Sequence, residues 1–499
     1  MADRGPTCYH RDRKLMNRDL AALSAEQFDL LVIGGGIIGA GIVRDAALRG
    51  LRAALIDKGD FASGTSSASS KLIHGGFRYL EQAAFRLVSE SCRERAILQR
   101  IAPHLVRPQA FLFPVYERDR RSLSAIRLGA TLYDWLAGSR NISPHESLSA
   151  ARARMKEPAL APAGLRGAVV IHDCQEDDAR FCLDNLLHAA ELGAVCANYC
   201  ELTGFITRED RIIAGRVLDQ QSHESFEIAA RVFINAAGPW VERVAGLAPF
   251  GGDAVRLSPT KGVHLLVPRL TQGHAIIFQT RRDGRNMFVL PWGECSLIGT
   301  TDTDWDGDPG HAQADAGDIE YLLAEVNRLF PDRRLVATEI ITTFAGVRAL
   351  LRAEDDAPSR RSREHRIVRQ GRNFLSIAGG KYTTYRLIAK QVVDQVSATP
   401  CRTADAPLPQ HRPTPAGEKI CDAPAVFASD VVHACDYEMA LTVCDVMRRR
   451  TGLALSQHGD VETAGIVARL MANHLHWSDS QMYSSLKDYL DDHHRASRF

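Results

Sequence analysis

From Phe28 the chain reads "FDLLVIGGG", an apolar run ending in glycines, then "IIGAGIVRDAALRG" with helical spacing, then a second apolar run, "LRAALID". Strands buried on both faces are continuously apolar, so the pattern predicts strand, glycine turn, helix, strand. That is a βαβ unit opening a doubly wound sheet. A serine-rich loop and then helical periodicity, as in "EQAAFRLVSESCRERAILQRI", occupy 63–140. Strands and helices alternate again over about 165–240, ending in "RVFINAAGPWVERVAG". Between about 250 and 345 the β-type runs "GVHLLVP", "NMFVLPW" and "SLIGTTD" predict a separate antiparallel sheet. "NFLSIAGGKYTTYRLIAKQVVDQV" returns to the first pattern, and five prolines then break any periodicity over 398–419. Beyond them the chain reads as helical. Val467, Leu470, Met471 and Leu475 share one face there, and "SDSQ" offers a capping box before the last helix.

Composition narrows the function classes. A net charge of +1 gives no sign of a nucleic-acid binder driven by counterion release. Local basic clusters, 117–129 and 360–372, read as solvated surface. Eleven cysteines, an odd number without paired metal-ligand spacing, fit free thiols in a reducing compartment. No apolar run approaches the roughly 20 residues of a membrane-spanning helix. Residues 1–27 lack an apolar signal core and are expected to form a disordered arm on an intracellular protein. "DTDWDGDPGHAQ" imitates a calcium loop through Asp302, Asp304, Asp306 and Gly307. Its twelfth position, however, is Gln313 and Pro309 interrupts it, so no metal site is expected.

Gly34, Gly36 and Gly39 form a G-x-G-x-x-G turn. The first glycine permits the turn, the second admits a pyrophosphate, and the third lets the helix pack on the strand. Asp57 closes the second strand, where a carboxylate accepts the adenosine ribose hydroxyls. A simple nicotinamide dehydrogenase would continue with another βα unit. This chain instead enters "FASGTSSASSKLIHGGFRYLE", a polar loop that can thread along an extended FAD. Ser66, Ser67, Ser69 and Gly75 of that loop are expected to contact the cofactor. So are Ala237 and Gly238 of "INAAGPW" and Gly379, Gly380 and Lys381 of "IAGGKYTT", each a strand ending in small residues. The clamp therefore reads as FAD.

The fold class is α/β: an FAD-binding doubly wound Rossmann-type domain, an inserted antiparallel β-sheet substrate domain and a C-terminal helical domain. The expected division gives the FAD-binding domain 28–250 and 340–397, and the substrate-facing sheet 251–339. The Pro-rich linker takes 398–419 and the helical domain 420–499.

"GGGIIGAGIVRDAALRG", "TSSASSKLIHGGFRYLE", "NAAGPW", "GTTDTDWDGDP", "AGVRALL" and "GGKYTTYR" stand in the order seen in FAD-dependent glycerol-3-phosphate dehydrogenases. The chain resembles that family from about Phe28 to its end, with Ile38 where the family usually has Asn and Tyr382 where it usually has Leu. The resemblance implies oxidation of sn-glycerol 3-phosphate to dihydroxyacetone phosphate, with electrons passed to membrane quinone. Such chemistry needs a base, a hydride donor facing flavin N5 and cations for the phosphate. His74 is the first candidate for base and His264 the second. Arg78 and Arg348 are the first candidates for the phosphate, because a dianion calls for planar bidentate donors. Lys381, Thr383 and Tyr79 complete the expected substrate site.

Two alternatives stay open: an oxidase that uses oxygen, and a silent FAD-binding regulatory protein. A homodimer is also left open. A quinone partner implies a protein lying on the inner face of the cell membrane. The expected contact with anionic lipid is 105–137, through a helical face of Leu123, Ile126, Ala130, Tyr133 and Leu136 or Ala137. Arg120, Arg121 and Arg127 would lie near the headgroups.

Overall fold

The computed structural model describes residues 16–250, 255–352 and 364–497. The expected disordered arm is corrected over 16–27. Leu20–Ala25 is a helix capped by Asp19, the strand Gln27–Ile33 follows it, and Met16 and Leu23 are buried in the core. Arg18 ties this segment down through an ion pair with Asp219 and a hydrogen bond to the carbonyl of Asn198. Residues 1–15 lie outside the described residues, as do 360–363 of the second basic cluster.

The first sheet runs in the order 365–370, 374–379, 225–235, 27–33, 53–56, 195–197. Along this path the neighbours pair in parallel except the edge strand His365–Gln370, and an antiparallel pair, Cys200–Arg208 and Arg211–Asp219, branches off by antiparallel pairing to Ser225–Asn235. Leu30 and Val32 enter the core on one side, Leu31 and Ile33 the core on the other. That alternation explains the continuous apolar run. On the first side the helix Ile37–Leu48 packs against Asp178–Glu191 and Tyr385–Val393. Gly39 lets this helix sit close on the first strand and its turn, since a Cβ there would stand 1.9 Å from the carbonyl oxygen of Gly34.

The second sheet is larger than expected. It is not confined to 251–339 but recruits Leu72–Ile73, Arg107–Tyr116, Glu146–Ser149, Leu165–Gln175 and Thr342–Arg348. Its pairs are antiparallel except Ala275–Gln279 with Arg107–Tyr116. The segment "AFLFPVY", inside the stretch read as helical, is a strand whose last six residues are buried. An apolar run without a period does not distinguish the two.

The proposed lipid-facing helix exists as Leu123–Ala137, but its apolar face points inward. Ile126, Ala130, Tyr133 and Ala137 are buried, and Leu123 and Leu136 pack against the same clusters. Arg121 pairs with Glu81, and Arg120 donates to the carbonyl of Asp283. That face is core and is not a lipid anchor. No described helix is long and apolar enough to cross a membrane.

The linker has no helix or strand over 398–418, yet it is pinned. Leu408 N–H donates to Ile101 O at 2.7 Å, and the buried Arg44 donates to Ala406 O at 2.8 Å. After a short hairpin, the C-terminal helices Ala428–Tyr437, Val461–Leu475 and Asp479–Ser497 enclose their own core. Val467 and Met471 lie inside it, with Leu470 and Leu475 packed at its edge. Ser478 and Gln481 exchange the two bonds of a capping box.

Candidate active site

The glycine turn, the serine loop and the second sheet meet around a cavity of about 490 Å³. Gly34, Gly36, Asp57, Ser66, Ser69, Ala237, Gly238, Gly379 and Gly380 line it, and so do His74, Arg78, Tyr79, His264, Arg348, Lys381 and Thr383. Gly34 and Thr383, 349 positions apart in the sequence, are thus brought to one cavity. Three expected cofactor residues are not on its wall. Gly39 serves helix packing. A Cβ on Gly75 would strike the hydroxyl of Tyr133 and the thiol of Cys92. Ser67 turns its carbonyl to the ammonium of Lys71.

Both oxygens of the half-buried Asp57 carboxylate accept backbone N–H groups, from Gly35 at 2.6 Å and Gly59 at 2.9 Å. Burial nevertheless dominates and pushes its carboxyl up to about 6. Ser66 Oγ accepts from Ile37 N–H at 2.9 Å, at the positive end of the helix. Beyond its chain neighbours, no atom of the described residues stands within 4 Å of where a Cβ on Gly238 would lie, so cavity space reaches that backbone. An acid, a glycine turn at a helix N-terminus and bare backbone opposite are a donor and acceptor set that fits FAD.

The cationic wall is built around Tyr79. Past the strand Leu72–Ile73 the chain turns through Gly76, whose φ of +82° is left-handed, into a short 3₁₀ turn, Phe77–Gln82. Tyr79 is buried there. Lys381 Nζ lies 3.9 Å from its ring centre, the Arg78 guanidinium 4.9 Å, and His74 stacks at 6.5 Å. The aromatic ring therefore acts as a common platform for three of the candidate groups.

Arg348 ends the strand Thr342–Arg348, which pairs along its length with Thr260–Pro268. Its guanidinium donates to Asp302 Oδ1 and to Thr300 Oγ1, each at 2.9 Å. Burial lowers its pKa, and the positive charges of Arg78 and Arg285 work in the same direction against Asp302. An anion in this cavity would relieve that crowding. Sequence reasoning missed Thr300 and Asp302 as partners, though both sit in the "GTTDTDWDGDP" motif. It also missed Gly262 and Gly299. A Cβ on Gly262 would lie 2.1 Å from the Arg348 guanidinium, and one on Gly299 2.2 Å from the His264 ring.

His264 is buried, stacked on Phe344 at 4.9 Å, with Nε2 2.9 Å from Ser70 Oγ. Burial first, then Arg348 and Lys71, bring its pKa down to about 3. It is a neutral imidazole at working pH. His74 is half-buried on the cavity wall, its backbone N–H bonded to Thr383 Oγ1 at 3.2 Å. The calcium-like stretch forms a short strand, Thr303–Asp304, and a 3₁₀ turn in which Asp308 accepts from Gly310 N–H.

Comparisons with known proteins agree with this geometry. The family model "FAD dependent oxidoreductase" matches residues 29–394, and "C-terminal domain of alpha-glycerophosphate oxidase" matches 389–482. A glycerol-3-phosphate dehydrogenase of Synechocystis sp. is 34% identical over 95% of this chain and 97% of its own length. One from Mycobacterium leprae is 42% identical over 76% of this chain and 65% of its own length. The solved glycerol-3-phosphate dehydrogenase of Bacillus halodurans, complexed with FAD, superposes with a TM-score of 0.78. It is 27% identical, covering 97% of this chain and 98% of that one. The glycerophosphate oxidase of Mycoplasma pneumoniae, 18% identical with a TM-score of 0.57, shares the fold. The chain belongs to the FAD dependent oxidoreductases and, among them, to the glycerol-3-phosphate dehydrogenase family.

Proposed function

We propose that this chain oxidises sn-glycerol 3-phosphate to dihydroxyacetone phosphate. The carrying observation is the gathering of Arg78, Arg348, Lys381 and two histidines on a cavity that also holds the dinucleotide turn. FAD, when bound, supplies the acceptor for the hydride that leaves C2. Arg348 and Arg78 hold the phosphate, Arg348 with its plane set by Asp302 and Thr300. His74 takes the hydroxyl proton as the carbonyl forms. His264 holds protons too weakly for that role and orients the substrate as a neutral hydrogen-bonding group. Anaerobic titration tests the reading: glycerol 3-phosphate should bleach the flavin, while glycerol and lactate, lacking the phosphate, should not at equal concentration. Bleaching by all three alike would sink the phosphate assignment.

His74→Gln should slow flavin reduction by roughly a hundredfold or more while changing substrate affinity little. Rapid mixing under anaerobic conditions measures that step. An unchanged rate would move the proton to water. Asp57 adds a pH dependence. The ribose hydroxyls donate to the ionised carboxylate, so FAD and a proton compete for it. FAD affinity should be flat at neutral pH and weaken as pH falls through about 6. Asp57→Asn should weaken binding throughout and flatten that profile, as followed by flavin fluorescence.

Membrane quinone is the electron acceptor in this reading, with the protein lying on the cytoplasmic face. A second reading, oxygen as acceptor, is favoured by the match of 389–482 to a glycerophosphate oxidase domain. Peroxide stoichiometry per substrate separates the two. In this reading the membrane contact is the outer face of the helix Leu123–Ala137. Leu128 and Trp135, two turns apart, are 72% and 75% exposed, and Arg127 is exposed beside them. Wild-type protein should float with anionic vesicles, and Leu128→Ser with Trp135→Ser should abolish flotation without changing turnover with a soluble acceptor. Flotation indifferent to both changes would exclude this face.

A further inference from the structure

We infer that the C-terminal domain sets the FAD affinity of the N-terminal one, through Arg449 and Arg450 gripping Asp60 on the loop that carries Asp57. Asp60 is buried, three residues past the acid placed at the adenosine ribose. Its Oδ2 accepts from Arg449 Nε at 2.5 Å and from Arg450 Nη1 at 2.6 Å. Its Oδ1 accepts from Arg450 Nη2 at 2.8 Å and from Asn198 Nδ2 at 3.0 Å. Burial alone would raise this carboxyl. Arg450 and Arg449 hold it well below the usual carboxylate range.

The grip reaches a second loop. Asp57 N–H donates to Ala197 O, Tyr199 N–H to Gly59 O and Cys200 N–H to Asp57 O, at 2.7–3.0 Å, so 57–60 and 197–200 move as one piece. The C-terminal domain holds that piece at two more points: Asn198 Nδ2 donates to Met439 O at 2.8 Å, and the Tyr199 hydroxyl to Asp445 Oδ1 at 2.8 Å. Farther along, Ala62 N–H donates to Gly35 O at 3.1 Å, closing the loop over the glycine turn. Removing one guanidinium leaves a buried carboxylate short of partners, which loosens the loop rather than the distant sheet. Asp57 then loses its fixed aim at the ribose, while the cationic wall around Tyr79 is untouched. Arg449 and Arg450 are positioning residues.

The inference rests on the placement of FAD along the glycine turn. Asp57→Asn examines that placement directly: it removes the charge aimed at the ribose and one of the two bonds from Gly35 and Gly59 N–H, and leaves the Asp60 grip intact. The test measures FAD dissociation constants of the full-length protein by flavin fluorescence on reconstitution of apoprotein. Arg449→Met and Arg450→Met should each raise the constant at least about tenfold. At saturating FAD both should recover wild-type KM for glycerol 3-phosphate and wild-type kcat. Arg450→Lys should recover part of the affinity. Arg448→Met is the control: it lies in the same turn but pairs with Asp492 inside the C-terminal domain, and it should leave FAD affinity unchanged. If Arg450→Met fails to fold, Tyr199→Phe decides, with an expected rise of a few-fold. An unchanged constant in Arg450→Met or Tyr199→Phe, or an equal rise in Arg448→Met, would overturn the inference. If Asp57→Asn binds FAD as wild type does, the placement of the ribose fails instead.

Discussion

Replacing Arg348 with Ala should lower kcat/KM for glycerol 3-phosphate by on the order of a hundredfold or more while FAD stays bound. Several parts of the fold converge on this one side chain. Its strand pairs with Thr260–Pro268, Gly262 leaves a gap for the guanidinium, and Asp302 and Thr300 fix its plane. Part of its hydrogen-bonding capacity is thus engaged before substrate arrives. What remains is a preset charge on the cavity wall, beside the field of Arg78. Arg348→Lys separates charge from shape. A flexible ammonium keeps the charge but loses the fork, so it should recover only part of the loss. Arg348→Ala also leaves Asp302 without its partner, which adds local repulsion of the anion. Arg78→Ala, which removes a cation resting on Tyr79 and disturbs no buried carboxylate, should cost activity in the same direction. Steady-state kinetics with saturating FAD measure all three. If Arg348→Ala and Arg78→Ala both keep near-normal turnover and affinity, the phosphate lies elsewhere.

How far the sequence discloses this site depends on how local each feature is. The glycine turn, the strand before it, the helix after it and Asp57 lie within about thirty residues, and their spacing is set by one βαβ unit. They are legible because chemistry and local geometry coincide. His74, Arg78 and Tyr79 are legible as a cluster for the same reason, since one turn carries all three. The pairing of Arg348 with Asp302 is different. It depends on strands 260–268, 295–299 and 342–348 lying side by side, a long-range fact that neither motif contains. Gly262 and Gly299 are silent in sequence because each makes room for a side chain on another strand. Likewise, "AFLFPVY" is apolar throughout, so only its partners at 165–175 and 275–279 show that it is a strand. Met16 and Leu23 were unreadable because two buried side chains in a polar stretch carry no period. The apolar face of Leu123–Ala137 was readable as a face, but its direction, core or lipid, was not.

Gly36→Val should yield folded protein without flavin, the largest single loss expected outside the phosphate site. Gly36 has φ −77° and ψ 179°, extended backbone open to any residue, so valine there brings no conformational strain. The harm is local volume. A Cβ would already stand 3.0 Å from Ser66 Oγ, the atom that accepts from Ile37 N–H at the helix start. The two methyls of valine would then occupy the space through which a pyrophosphate approaches the backbone. Gly34 is the contrasting case. Its φ of +111° is left-handed, and a Cβ would lie 2.6 Å from Ala236 O, so substitution there should damage the sheet itself. The pair therefore distinguishes cofactor exclusion from misfolding. Gly36→Val should keep the circular dichroism spectrum and cooperative thermal unfolding of apo wild type, yet purify colourless. It should also fail to take up FAD on reconstitution. Gly34→Val should lose yield and cooperativity. A yellow Gly36→Val protein with normal flavin content would show that the pyrophosphate does not lie on this turn.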